Sequence, residues 1–478
     1  MKIAYISSEV VPFAKTGGLA DVAGALPEAI AKLKHEIRVF MPEYKMIKDG
    51  GFKPEPIGIP LSIPIEDKIV SGRIDMLYMP ETEIPVYMIN NSGYFERDSL
   101  YQQDGKDYKD NLERFVFFCK SVLEALKQLS WQPDIIHCND WQTALIPVYL
   151  KIENDPFFKN TKTLYTIHNL AYQGIFKAIE FPTTGLDWKY FTYDQLEYYG
   201  NINLMKAGLA FSDKLNTVSS KYAEEIQTEK YGYGLAGILK YRKDDLSGII
   251  NGVDYTVWSP DIDDDLPQKY SLKSLAGKAV CKKILQEKNK LPQNPDTPLI
   301  GVISRLADQK GFNLVEEIFD YIMGLDIQFV LLGTGEQKYH DFFQSMQKRY
   351  PKQVGVNFTF NNPIAHLIEG GSDMFLMPSL YEPCGLNQMY SLRYGTIPIV
   401  RATGGLADTI EEYNAKTNSG NGFVFEEAEP KELYLAIKRS VDLFKQKKVW
   451  QALMRRAMKQ DFSWNTSAKK YIELYKAL

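Results

Sequence analysis

The chain is 478 residues long, 45% hydrophobic and 24% charged, which is ordinary for a globular protein and leaves room for roughly two to three domains with large cores. Its 56 basic and 60 acidic side chains give a formal net charge of −4. Neither nucleic acid nor a membrane is therefore expected as a partner, and an anionic ligand would have to be met by a local group of cations. The cysteines Cys119, Cys138, Cys281 and Cys384 form no CxxC pair, the N-terminus has no leader pattern, and no apolar run is as long as a membrane span. These features point to reduced thiols in a cytoplasmic protein.

Strand-like apolar runs alternate with amphipathic stretches, the pattern of parallel sheets joined by crossover helices. Residues 3–7 predict the first strand and 19–33 the first helix, with further strands expected at 38–41, 86–90, 135–137 and 164–168. A second series follows at 299–304, 329–333, 374–378 and 398–401. The expected fold class is α/β, with two Rossmann-like doubly wound domains. A charged segment at 243–246, ahead of the Asn251-Gly252 turn pair, sets the domains at 1–246 and 247–460, and residues 461–478 are expected to form a helix that crosses back to the first domain.

The hexapeptide TGGLAD occurs twice, at 16–21 and 403–408, each time after an apolar run and at the start of a helix. A glycine pair there lets an anion approach unpaired backbone N–H groups. With Lys15 before the first copy, Lys15, Gly17, Gly18 and Asp21 read as a diphosphate loop at a strand's carboxyl end. In SRLADQKG, Arg305 offers a planar fork and Lys310 a point charge, and the two can converge on one diphosphate and stabilise a departing phosphate.

In SLYEPCGLNQ, Glu382 can accept sugar or ribose hydroxyls, while the N–H groups of Cys384, Gly385 and Leu386 can meet an anion. Thr403, Gly404 and Gly405 open the second copy. Asp140 and Trp141 follow IIHCN, and His168 and Asn169 end or follow LYTIH, residue types that suit sugar hydroxyls and rings. The acidic string DIDDD at 261–265 reads as a solvated linker and not as a metal site. Gly277-Lys278 lacks the Ser or Thr of a P-loop, and Gly333-Thr334-Gly335 lacks the third glycine of a dinucleotide fingerprint.

In order along the chain, KTGGLADV, HCNDWQ, TIHNLAYQG, INGVDYTVWSP, SRLADQKG, YEPCGLNQ and RATGGLADT resemble the bacterial glycogen synthases and plant starch synthases, from Lys15 to about Trp464. The resemblance implies a retaining glycosyltransferase of the GT-B type, with two domains facing across a deep cleft. It implies transfer of glucose from ADP-glucose to the nonreducing 4-hydroxyl of an α-1,4-glucan (glycogen or maltooligosaccharides), without a metal or pyridoxal phosphate.

Catalytic roles are implied for Arg305 and Lys310 at the diphosphate, Glu382 at the donor and His168 beside the anomeric centre. Donor contacts are implied for Lys15, Gly17, Gly18, Asp21, Asn251, Cys384, Gly385, Leu386, Thr403, Gly404 and Gly405, and acceptor or sugar contacts for Asp140, Trp141 and Asn169. One departure stands out. Where the family commonly has Tyr, an acid and Arg, this chain reads Phe95-Glu96-Arg97 with Tyr94 just before, so the acceptor ring contact falls to Phe95 or Tyr94. The residues leave open UDP-glucose as donor, a pyridoxal-phosphate glycan phosphorylase, a catalytically silent glucan-binding protein, and the oligomeric state.

Overall fold

The runs KIAYI, IIHCN and KTLYTI are buried almost along their whole length, as strands in the middle of a covered parallel sheet must be. A computed structural model describes all 478 residues, Met1–Leu478. The chain divides into one unit of Met1–Val218, Ala223–Gly252 and Trp464–Leu478, and a second of Ser219–Tyr222 and Val253–Ser463.

The first unit is built on a nine-stranded sheet. Its strands are β1 (Lys2–Ile6), β2 (Glu36–Pro42), β3 (Glu55–Ile65), β4 (Lys68–Tyr78), β5 (Pro85–Asn90), β6 (Ile135–Asn139), β7 (Lys162–Ile167), β8 (Lys214–Thr217) and β9 (Leu246–Gly248). They lie in the order β9-β8-β7-β6-β1-β2-β5-β4-β3. All pairings are parallel except those of β4 with β3 and β5. Because β2 lies on one side of β1 and β6 on the other, the winding reverses there, and ligands of doubly wound sheets bind at the strand ends beside such a reversal.

Helix α1 (Gly18–Lys32) buries Leu19, Val22, Ala23, Leu26 and Ile30, spaced three and four apart, on its apolar side. The C-terminal helix Trp464–Lys476 packs on α1 and buries Trp464, Ala468, Tyr471, Ile472 and Tyr475 at the same spacing. Gly252 is pressed so closely to Trp464 that a Cβ would lie 2.5 Å from it.

The second unit has a six-stranded parallel sheet of β10 (Leu299–Ile303), β11 (Gln328–Leu332), β12 (Val354–Asn357), β13 (Met374–Met377), β14 (Ile397–Arg401) and β15 (Phe423–Phe425), in the order β12-β11-β10-β13-β14-β15. Alternate residues feed two separate apolar layers. Ile300, Val302, Phe329, Leu331 and Met374 belong to one, while Leu299, Val330, Leu332 and Phe375 belong to the other. Here the winding reverses between β10 and β13.

The first unit extends past residue 246 to Gly252, because β9 pairs in register with β8 as the last strand of the first sheet. The return to that unit falls at Trp464 and not at 461. The DIDDD segment is not a solvated loop throughout: Asp263 is 5% exposed, holding His366 Nδ1 at 2.8 Å and the Tyr394 hydroxyl at 2.5 Å, while its other oxygen accepts the Asp265 amide. Asp263, Asp265 and His366 have ligand-type atoms within 4.8 Å of one another, but these bonds commit Asp263 to tying the segment onto α2 (Asn362–Gly371) and α3 (Asn387–Tyr394). Trp258 completes the tie, stacked on His366 at 3.9 Å and on Tyr390 at 4.1 Å.

Candidate active site

The loop leaving β1 carries Glu9 and then the first TGGLAD copy. Glu9 is buried, and its carboxylate accepts the Thr16 amide and hydroxyl, the Gly17 amide at 3.1 Å and the Tyr101 hydroxyl at 2.8 Å. The Gly17 amide is therefore engaged by one of the protein's own anions, a contact the sequence reading did not foresee. Around the glycines the space is open, since a Cβ on Gly17 or Gly18 would meet nothing within 4 Å. Lys15 Nζ lies 2.6 Å from Asp21 Oδ1. Desolvation raises the Asp21 carboxyl above its usual value, against the pull of Lys15.

At the ends of β6 and β7, Asp140 and His168 hold each other. Asp140 is buried with φ +55°, and its Oδ1 accepts the His168 amide at 2.7 Å. Burial pushes the Asp140 carboxyl up to about 7, opposed by the backbone N–H groups of His168 and Asn169. Burial lowers the His168 imidazole to about 3, so it is neutral at physiological pH. Its Nε2 is 2.9 Å from Asn139 Oδ1, an atom that also accepts the Tyr5 hydroxyl, while Asn139 Nδ2 donates to the Ile6 carbonyl. An amide oxygen only accepts, so Nε2 carries the proton and Nδ1 the lone pair.

Asn169 Oδ1 accepts the Ala171 amide, and Asn251 is buried with its Oδ1 unpaired. Two of the side chains expected at the sugar, Phe95 and Trp141, are buried. Phe95 is 0% exposed, turned inward by the helical turn Ser92–Phe95 against Tyr44, Phe117 and the buried Arg114 guanidinium, so it has no face for an acceptor. Tyr94 is half-buried and its hydroxyl bonds Glu113. Trp141 is 9% exposed and packs into an aromatic group with Phe115, Tyr101 and Phe176.

In the second unit the loop after β10 is folded onto the end of β13. Gly311, at φ +72°, comes so close to Pro378 that a Cβ would lie 2.0 Å from its carbonyl oxygen. Gln309 bonds the Tyr381 carbonyl through its side chain and the Leu380 amide through its carbonyl. This brings Lys310 Nζ to 2.7 Å from Glu382 Oε2, which also accepts the Ser379 hydroxyl at 2.9 Å. Arg305 is aligned along the same loop by a 3.2 Å bond to Gln309 Oε1.

The second TGGLAD copy clamps the backbone that carries this carboxylate. A Cβ on Gly404 would lie 1.9 Å from the Glu382 carbonyl oxygen, and one on Gly405 2.0 Å from that of Cys384. The Gly405 amide donates to the Glu382 and Pro383 carbonyls, and Arg401 donates to the Ser379 and Leu380 carbonyls. Gln388 holds the Cys384 carbonyl at the start of α3, just after Gly385 at φ +69° and Leu386. The structure thus gathers Lys310, Glu382 and the 383–386 and 403–405 segments into one locus. Sequence reading missed the supports Ser379, Gln388 and Arg401. It also set aside Gly333 and Gly335, which press directly on the backbone of Ser304 and Leu306.

Each unit is a doubly wound sheet with polar loops at its reversal point, and in the second these loops pair a cation with a buried carboxylate. That combination is the frame of a two-Rossmann α/β protein with a polar site at the strand ends of each sheet. Residues 2–241 match the family model of the starch synthase catalytic domain, and residues 283–453 that of glycosyl transferases group 1. The chain is 46% identical to the glycogen synthase of Thermosipho africanus, covering 99% of this chain and 98% of that one. It is 47% identical to that of Desulforudis audaxviator, covering 100% and 96%. The catalytic domain of starch synthase IV from Arabidopsis thaliana, bound to ADP and acarbose, superimposes with a TM-score of 0.90 at 31% identity, covering 99% of this chain and 98% of that one. The chain belongs to the glycogen and starch synthase family and is a glucosyltransferase of glucan synthesis. No helix is long and apolar enough to cross a membrane.

Proposed function

We propose that the protein transfers glucose from ADP-glucose to the nonreducing 4-hydroxyl of an α-1,4-glucan with retention of configuration, releasing ADP in the cytoplasm. The observation that carries this reading is the Lys310–Glu382 pair, seated at the reversal point of the second sheet and flanked by Arg305. Lys310 spends one ammonium proton on Glu382 and keeps two for the leaving diphosphate, while Arg305 adds a second fixed cation. Glu382, held by Ser379 and Lys310, has its remaining lone pairs for donor hydroxyls.

In the first unit the open space at Gly17 and Gly18 suits close approach of the donor, with Lys15 and Asp21 beside it. His168, neutral and oriented, supplies its main-chain carbonyl and the Nδ1 lone pair near the transferred sugar. Asp140, Asn169 and Asn251 bind glucose or acceptor, and Tyr94 takes the ring position that Phe95 does not occupy. The ADP named with the starch synthase IV structure favours ADP-glucose over UDP-glucose.

Initial rates with ADP-glucose and UDP-glucose at matched concentrations, with a maltooligosaccharide acceptor, test the reading. ADP release and chain elongation should be at least tenfold faster with the adenine donor; equal rates would defeat the donor assignment, and no elongation would defeat the activity.

A further inference from the structure

The first unit holds a buried polar circuit for which glucosyl transfer as described has no direct use. Tyr471 and Tyr475, on the buried side of the C-terminal helix, are 0% and 2% exposed. The Tyr475 hydroxyl lies 2.8 Å from His137 Nδ1, and His137 Nε2 lies 2.7 Å from Thr166 Oγ1. Asn216 Nδ2 donates to Thr166 Oγ1 at 3.2 Å and to the Tyr471 hydroxyl at 3.1 Å, which returns the circuit to the helix.

The circuit reaches the site through β6 and β7. Tyr5 packs edge-on against His137, with ring centroids 4.8 Å apart, and its hydroxyl donates to Asn139 Oδ1, the atom that holds His168 Nε2. His137 and Asn139 are two residues apart on β6, and Thr166 and His168 two apart along and just beyond β7, so each pair emerges on one face. In the pairing of these strands Asn139 is the partner of Thr166. Within this network the Tyr475, His137, Thr166 and Tyr471 polar atoms are paired and only Asn216 Oδ1 is buried without a partner, so removing one hydroxyl orphans a further buried nitrogen or hydroxyl and drives its neighbours to rearrange.

We propose that Tyr475 and Tyr471, acting through His137, Thr166 and Asn139, are positioning residues for His168: the last helix of the chain fixes the β6 and β7 ends and holds the imidazole in its Nε2–H form. The proposal rests on the reading of His168 as a group beside the transferred sugar.

The test uses Tyr475→Phe and Tyr471→Phe in the full chain, each alone and combined with His168→Ala. Donor kinetics, thermal unfolding and the ring-nitrogen NMR spectrum of ¹⁵N-histidine protein are read for each. Tyr475→Phe should lower kcat about 10-fold with donor KM nearly unchanged, the size of effect a displaced reacting geometry produces. It should also broaden or shift the His168 ring nitrogens away from the Nε2–H pattern and add no further loss of kcat to His168→Ala.

Wild-type kcat and an unchanged His168 spectrum in Tyr475→Phe, or a lowered unfolding midpoint as the only change, would overturn the proposal. If Tyr475→Phe does not fold, Tyr471→Phe decides by the same readings. Wild-type kcat in His168→Ala would defeat the role given to His168 itself, while the nitrogen spectra would still decide whether the helix positions its ring.

Discussion

Lys310 and Arg305 act on the same leaving group in the proposed reaction but are held differently, one by a buried carboxylate and the other by a neutral glutamine. Replacing either by Ala should lower kcat roughly 100- to 1000-fold, the usual loss for one preorganised charge-stabilising donor. Steady-state rates with saturating glucan check this, and wild-type turnover in both variants would sink the assignment. Asp140 carries a pH prediction. Its carboxyl is raised to about 7, so the carboxylate that grips the His168 and Asn169 amides forms as pH rises through that value. The ratio kcat/KM should therefore climb between about pH 6 and 8 and then level off. His168, lowered to about 3, stays neutral throughout and adds no limb. Asp140→Asn should flatten the rise; a profile already flat in the wild type would refute the link. At this scale the sequence was legible where a polar residue ended an apolar run, as at Asp140, His168 and Arg305. It was illegible at Glu9, whose partners lie in a loop several residues on, and at Phe95, whose inward turn depends on Arg114 and Phe117.

Elements explain why one hexapeptide serves two ends. At 17 and 18 the glycines are not demanded by packing, whereas at 404 and 405 a Cβ would collide with backbone oxygens. Gly18→Ala should keep or raise stability by about 0.5–1 kcal/mol, since alanine is the better helix former, and yet raise donor KM. Gly404→Ala should cost on the order of 3 kcal/mol, from the clash and from its φ of +44°. Urea unfolding alongside donor kinetics separates the two, and equal stability losses at both sites would contradict the distinction. Nothing in the identical letters TGGLAD reveals this difference, because it lies in what each copy packs against. The central parallel strands were legible as unbroken apolar runs. Strand β3 was not: its sequence EPIGIPLSIPI carries Pro56, Pro60 and Pro64, residues a sheet tolerates at an edge, and β3 is the edge of the first sheet.

At the scale of the whole molecule, the alternation of strand and helix made two doubly wound units legible, while their exact limits depended on pairings such as that of β9 with β8. The C-terminal helix is the first unit's only segment beyond residue 252, and it buries six side chains there. A chain ending at Ser463 should therefore lose the cooperative unfolding of the first unit and keep that of the second, as calorimetry would register; two intact transitions would count against it.

The chain leaves the first unit after Gly252 and comes back to it at Trp464. Almost all of the second unit is thus an insertion in the first. During synthesis, which runs from the N-terminus, the inserted half has its last strand and helices before the outer half has its closing helix. The second unit should be the first to reach its native state on the ribosome, and a transcript cut short in its final codons would yield a protein with that unit assembled and the first unfinished.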